Sequence, residues 1–207
     1  EISACLVGSE MCIRDSSKPA FTADSPMPVF YAAETYFLKA EAALQGWIAG
    51  GDAAAKSYYE QGIQMSMSQY GVEIGDYLSS TVVPQGYTDR LNSKNNISFT
   101  SVPSVAWGDG TNKLQKIITQ KWIANYPMGI EAWCDYRRTG YPELFTARDN
   151  LSSAGYIGDI DSKRMVRRLP YPTTEKSSNS ANVEAAIATM LGGPDTGSTD
   201  LWWAKKN

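Results

Sequence analysis

Histidine is absent from all 207 residues. That removes Ser-His-Asp and Cys-His catalysis, and every zinc site that needs an imidazole ligand. Cysteine is scarce, with three residues and no C-x-x-C pair. Such a set supports neither a disulfide framework nor a zinc knuckle. No motif for a cofactor stands out, and none is expected. Positive charge is not in excess: 19 Lys and Arg stand against 22 Asp and Glu, a net −3. With no basic run, the field that holds a nucleic-acid backbone is missing, and nucleic acid is excluded as a partner. No apolar run approaches the ~18 residues that cross a bilayer. Strand-like alternation is also rare.

What remains is ordinary globular composition, 43% hydrophobic and 20% charged. The 12 Tyr and 6 Trp outnumber the 5 Phe. Rings with one polar edge suit half-wet surfaces and flat ligands such as sugars.

The stretch ACLVGSEMCIRDSSK (Ala4 to Lys18) stands apart from the rest and carries Cys5 and Cys12. Ile2-Ser3-Ala4-Cys5 fits the box that precedes a lipid-modified cysteine. However, only four residues precede Cys5, and they supply neither a basic nor an apolar leader. A redox or metal pair lacks other ligand types nearby. CLVGSEMCIRDS instead resembles a translated adapter or vector remnant. We therefore expect residues 1–16 to be non-native and the natural sequence to begin about Ser17.

Helical periodicity starts after Pro28. Phe30, Ala33, Phe37, Ala40, Leu44 and Trp47 recur in steps of three and four and form one apolar stripe. Glu34, Lys39, Glu41 and Gln45 fall mostly off it. Gly50-Gly51 ends this helix, and Asp52 reads as the N-cap of the next, Ala53 to Tyr70, with Ala55, Tyr59, Ile63 and Tyr70 towards one face. The two resemble a single tetratricopeptide-type hairpin, which cannot bury its own face. The apolar side of the Phe30 to Trp47 helix should then be exposed, and the isolated chain poorly soluble.

Gly71 to Gly110 is rich in Gly, Pro, Ser, Thr and Asn and reads as a long loop, with a short helix near Thr88 to Leu91. Asn112 then caps a helix to Tyr126, with Leu114, Ile117, Ile118 and Trp122 inward. Pro127 breaks it, and Gly129 to Arg138 forms another, with Ile130, Trp133, Cys134 and Arg137 on one face. Leu144 to Pro172 is irregular, Ala181 to Leu191 is helical, and Trp202-Trp203 fasten the end. The fold class is mostly α: tetratricopeptide-like helix pairs with long irregular loops.

Long loops in compact domains often carry function. Tyr87 and Trp107 lie in this polar loop, where no helical pattern enforces burial. An exposed phenol or indole ring can stack on a pyranose while neighbouring polar groups bond its hydroxyls. The candidate ligand-binding residues are therefore Trp107, Tyr87, Arg90 and Asp109, with Asp89 and Asn92 close by. Glu131 and Asp135 are four apart and share a helix face. They could be the acid and base of a helical glycoside hydrolase, but adjacent turns of one helix rarely flank a substrate. A structural network with Arg137, Arg138, Arg167 or Arg168 is the simpler reading.

Five segments together resemble one family. They are QKWIANYPMGIEAWCDYRRTGYPEL (Gln120 to Leu144), AAETYFLKAEAALQGW (Ala32 to Trp47), YYEQGIQMSM (Tyr58 to Met67), RRLPYPTTEKSSN (Arg167 to Asn179) and GGPDTGSTDLWW (Gly192 to Trp203). They are similar to the SusD/RagB family of nutrient-binding outer-membrane lipoproteins. The resemblance implies an α-helical scaffold whose irregular loops form the ligand surface, held outside the outer membrane by an N-terminal lipid. It implies a SusC-like TonB-dependent transporter as partner, an oligosaccharide or peptide as ligand, and binding without catalysis. It also implies that residues 17–207 are the C-terminal part of a longer domain. The alternatives from other classes are the helical glycoside hydrolase using Glu131 and Asp135, and a tetratricopeptide-like protein-interaction module.

Overall fold

The computed structural model describes residues 21–89, 92–145, 160 and 164–204. Arg90, Leu91 and the anomalous opening stretch lie outside them. Among the described residues six α-helices follow in order: α1 (Ala32–Leu44), α2 (Gly51–Gln69), α3 (Lys113–Ala124), α4 (Gly129–Thr139), α5 (Thr173–Ser178) and α6 (Ser180–Ala186). A π-helical turn, Ile187–Leu191, continues α6. Strand-like pairing among the described residues is confined to a bridge between Tyr87 and Ile97 and a bridge position at Met165. No helix among them is long and apolar enough to cross a membrane.

α1 and α2 pair closely because small residues line their contact. Ala33, Ala40, Ala43 and Ala55 are essentially inaccessible. Gly62 of α2 sits against Phe37, where a Cβ would meet the ring at 2.9 Å. α3 then covers the hairpin, adding Ile117 and Ala124 to the core around Phe37, Tyr59 and Ile63. The exposed hairpin face anticipated from the sequence is thus filled by α3. Phe30 and Trp47 fall outside α1 and are 58% and 73% exposed.

Several helix ends follow their sequence signals. The Asn112 side chain accepts a hydrogen bond from the Gln115 amide at 3.1 Å, and Gly140 ends α4 at φ 79°. Asp52 does not cap α2. Gly50, at φ 108°, takes that place because the helix starts earlier. Asp52 instead reaches across to Lys113.

Glu34 and Glu41 are off the apolar stripe yet buried. They are seven residues apart, about two turns, so both point towards the seam with α3 and α4. Lys121 Nζ lies 3.1 Å from Glu34 and 2.8 Å from Asp135. Arg138 bridges Asp135 at 2.9 Å and Glu41 at 2.9 Å. A five-membered ionic chain therefore joins α1, α3 and α4. Each carboxylate faces a cation, as burial of charge demands.

Two expectations for α3 and α4 are corrected. Trp122 and Ile130 are 41% and 70% exposed, not core. α3 already spends its inner face on Ile117, Ile118, Lys121 and Ala124, which turns Trp122 outward. Trp133 is half-buried, its indole N–H donating to the Val166 carbonyl at 2.8 Å. Its ring carries the Arg137 guanidinium at 3.6 Å from the centroid, with Trp203 on that guanidinium too, at 4.8 Å. Trp203 thus holds the C-terminal segment, whereas Trp202 is 77% exposed. Asp195 takes Arg168 and Lys176, and Asp200 takes Arg164 and Arg167, which fixes the irregular segments after α4.

Candidate functional site: an aromatic loop surface

The loop from Gly71 to Gly110 is held by three kinds of tether. Tyr77 and Leu78 lean on the core. The Ala106 amide donates to the Ser80 carbonyl at 2.9 Å, drawing the two ends together. The Thr100 and Ser101 amides donate to Glu143 at 2.8 and 2.9 Å, which anchors the tip beyond α4.

Trp107 is 6% exposed. Its ring lies 5.0 Å from that of Tyr59, and Lys113 sits above it at 5.4 Å. The Tyr59 hydroxyl donates to the Val105 carbonyl at 2.9 Å, and burial pushes that phenol's pKa far above its ordinary value. The structure therefore places Trp107 in the core, not on a platform open to solvent. A polar, Gly-rich surrounding sequence did not reveal that Tyr59 waits beneath it.

Asp109 is the other end of this clamp. Lys116, whose side chain is fully buried, donates to it at 2.7 Å and to the Ser104 carbonyl at 2.7 Å. The Thr111 amide and hydroxyl donate at 3.0 and 2.7 Å. Burial alone would raise this carboxyl's pKa. The hydrogen bonds from Lys116, Ser104 and Thr111 outweigh that and hold it well below the usual carboxylate range. Asp109 is occupied in fixing the loop to α3.

Tyr87 belongs to a different group. Its amide and carbonyl exchange hydrogen bonds with Ile97 at 2.8 and 2.9 Å. Gly86 precedes it because a Cβ there would strike the Ile97 oxygen at 2.3 Å. The residue is 47% exposed. Its ring lies 6.1 Å from Phe145, which stacks at 4.8 Å on Phe99. Phe145 is itself 43% exposed. Three rings thus share one patch of surface. Asp89 accepts from the Asn92 amide and the Asn95 carboxamide at 3.1 and 2.8 Å, so it shapes the adjoining turn. The expected helix at Thr88 to Leu91 is not formed over Thr88 and Asp89. A 3-10 turn at Ser93–Asn95 follows instead.

Sequence reasoning missed Phe145. It lies far along the chain, past α4, and reaches the loop through the Glu143 tether and its own ring contacts with Phe99 and Tyr87. Asp135, weighed as a catalytic acid, has both oxygens engaged by Lys121 and Arg138, while Glu131 is exposed. No group of three or more Cys, Asp or Glu able to hold a metal ion occurs among the described residues.

Comparison with known proteins places this architecture. The SusD-like family profile, described as Susd and RagB outer membrane lipoprotein, matches residues 5–204. The chain belongs to that family. Solved SusD-like structures agree. A SusD homolog from Bacteroides uniformis is 42% identical, with a TM-score of 0.76 over 90% of this chain and 38% of that one. A chitin-binding SusD homolog from Flavobacterium johnsoniae is 44% identical, with a TM-score of 0.72 over 85% of this chain and 36% of that one. A SusD homolog from Bacteroides vulgatus is 37% identical, with a TM-score of 0.78 over 92% of this chain and 38% of that one. The SusD-like chain thus spans well under half the length of these relatives. No curated protein matches it.

Proposed function

We propose that this SusD-like protein captures glycan or another nutrient oligomer at the outer face of the outer membrane, without turning it over. In this reading it is lipid-anchored in its full-length form and hands its ligand to a TonB-dependent transporter of the SusC type. Membership of the family carries the proposal. The chitin-binding relative at 44% identity makes a β-linked amino-sugar oligomer the first ligand to try.

Within this chain the proposed contact surface is Tyr87 with Phe145 and Phe99. Their exposed faces suit the apolar side of a pyranose, and Asn and Ser side chains of the same loop flank them. Arg90, next in sequence to Asp89, would add a hydroxyl donor. Trp107 and Asp109 would act by fixing the end of the same loop to α2 and α3.

The test is a titration of chitin oligomers, then of other glycans and peptides, followed by calorimetry alongside a reducing-sugar assay. Saturable binding without sugar release is the expected result. Release of reducing sugar that disappears in Glu131→Gln would overturn the reading in favour of the hydrolase.

A further inference from the structure

Phe99 and Phe145 stack at 4.8 Å with their planes 14° apart, yet neither ring belongs to the hydrophobic core. Phe145 is 43% exposed. Burial therefore does not explain why two rings from distant parts of the chain hold one arrangement.

The residues beside them supply a reason. Phe99 is followed by Thr100 and Ser101, and Phe145 lies two places after Glu143. One Glu143 oxygen accepts from the Thr100 amide at 2.8 Å and from its hydroxyl at 3.1 Å. The other accepts from the Ser101 amide at 2.9 Å. Successive amides that converge on one anion form a nest. No cation pairs with Glu143 among the described residues, so these donors are what answer its charge.

The nest is fixed from its other side. Gln115 of α3, 4% exposed, donates from its side-chain nitrogen to the Ser101 carbonyl at 2.6 Å. The Asn112 side chain, at the start of α3, donates to the Tyr141 hydroxyl at 3.2 Å. The amides are thus held from α3, and Glu143 seats the Phe145 segment in them. The seat is chemically selective. A carboxylate accepts on both oxygens. A carboxamide accepts on one, and its NH2 would face the Ser101 N–H, donor against donor.

We infer that Glu143 is a positioning residue of the ligand surface. Seated in the Thr100–Ser101 nest, its carboxylate sets the Phe99–Phe145 pair before a glycan arrives and so removes an ordering cost from binding. It acts through the rings and does not itself touch the ligand. The inference rests on the contact surface proposed above, but the ring arrangement it describes exists without ligand.

The test compares the 207-residue chain with Glu143→Ala, which deletes the atoms that acetate can replace. Ring-proton shifts of Phe99 and Phe145 and exchange of the Thr100 and Ser101 amides are read without glycan. Chitin hexamer is then titrated. In Glu143→Ala the ring shifts should move towards those of unstacked phenylalanine, and the two amides should exchange at least about tenfold faster. Hexamer affinity should fall about tenfold while Tm holds. Acetate should restore shifts, exchange and affinity, and an equal concentration of chloride should not. Glu143→Gln should behave as Glu143→Ala does without acetate.

Unchanged shifts and exchange in Glu143→Ala would overturn the inference. So would a hexamer affinity that stays constant while the rings move. Loss of cooperative melting that acetate does not repair would also overturn it, because Glu143 would then hold the fold together rather than place the rings. An unaltered chain that binds neither the hexamer nor any other oligomer sinks the contact surface alone. The shifts and the acetate rescue then still decide for or against Glu143.

Discussion

Glu41 of α1 and Arg138 of α4 form a forked ion pair across 97 residues of sequence, each guanidinium amine facing one carboxylate oxygen. The same arginine holds Asp135, and the two hydrogen-bonded carboxylates raise its pKa above the ordinary arginine value. Two parallel hydrogen bonds fix orientation as well as distance. The pair therefore sets how α4 is turned relative to α1, and with it the positions of Trp133 and the segments beyond.

Lys121 is the more buried of that chain's two cations and the sensitive one. Lys121→Met should leave Glu34 and Asp135 facing each other without their shared cation. Breaking a buried pair in this way costs about 3–5 kcal/mol. Urea unfolding at neutral pH would measure it. A loss below about 1 kcal/mol would place the pair in the range of solvated surface bridges.

Asp195 gives a prediction in pH. Burial would raise its pKa, but hydrogen bonds from Lys176, Arg168 and the Tyr171 amide outweigh burial and lower it. A depressed folded value means that the carboxylate stabilises fully above the unfolded value, about 3.9. That stabilisation disappears as pH falls through the folded value. Asp200 behaves likewise, through Arg167 and Arg164. Asp195→Asn should lower Tm at pH 7 and flatten its acid dependence below about pH 4. Melting curves across that range would decide.

Gly62→Ala sets two effects against each other. Alanine favours a helix interior by about 1 kcal/mol over glycine. Its Cβ, however, would lie 2.9 Å from the Phe37 ring, which is itself 1% exposed. Overpacking of this kind costs about 1–3 kcal/mol. The net result should be a lower Tm, and Phe37→Leu in the same chain should recover part of it.

Tyr87 and Trp107 should separate in experiment. If the loop surface binds glycan as proposed, Tyr87→Ala and Phe145→Ala each weaken binding about tenfold, roughly 1.4 kcal/mol, with little change in Tm. Trp107→Ala should instead cost about 3–5 kcal/mol of stability. Equal binding by Tyr87→Ala would remove that ring from the site.

The helices were legible because their signals are local. Asn112, Pro127 and Gly140 mark ends that the backbone obeys, and Ala33, Phe37 and Ala40 mark a face that is buried. What the sequence hid depends on which helix lies beside which. Glu34 and Glu41 fall off the apolar stripe, and their burial follows only once α3 and α4 bring Lys121 and Arg138 to them. Trp122 read as core because periodicity reports a preferred side but not whether that side is filled. In the candidate site, Tyr87 could be found from its loop. Phe145 could not, because tertiary contacts through Glu143 and Phe99 bring it there, and Trp107 was drawn inward by Tyr59.

The bridge between Tyr87 and Ile97 has a consequence for how such a surface can change over time. The backbone bonds that hold Tyr87 in place involve no side-chain atoms of either residue. Exchanging the ring leaves those bonds, the Asp89 turn and the Glu143 and Asp109 anchors untouched. If the loop surface binds as proposed, shape and choice of ligand are written in different atoms of one loop. A lineage meeting a new polymer could then exchange the ring without disturbing the backbone that carries it.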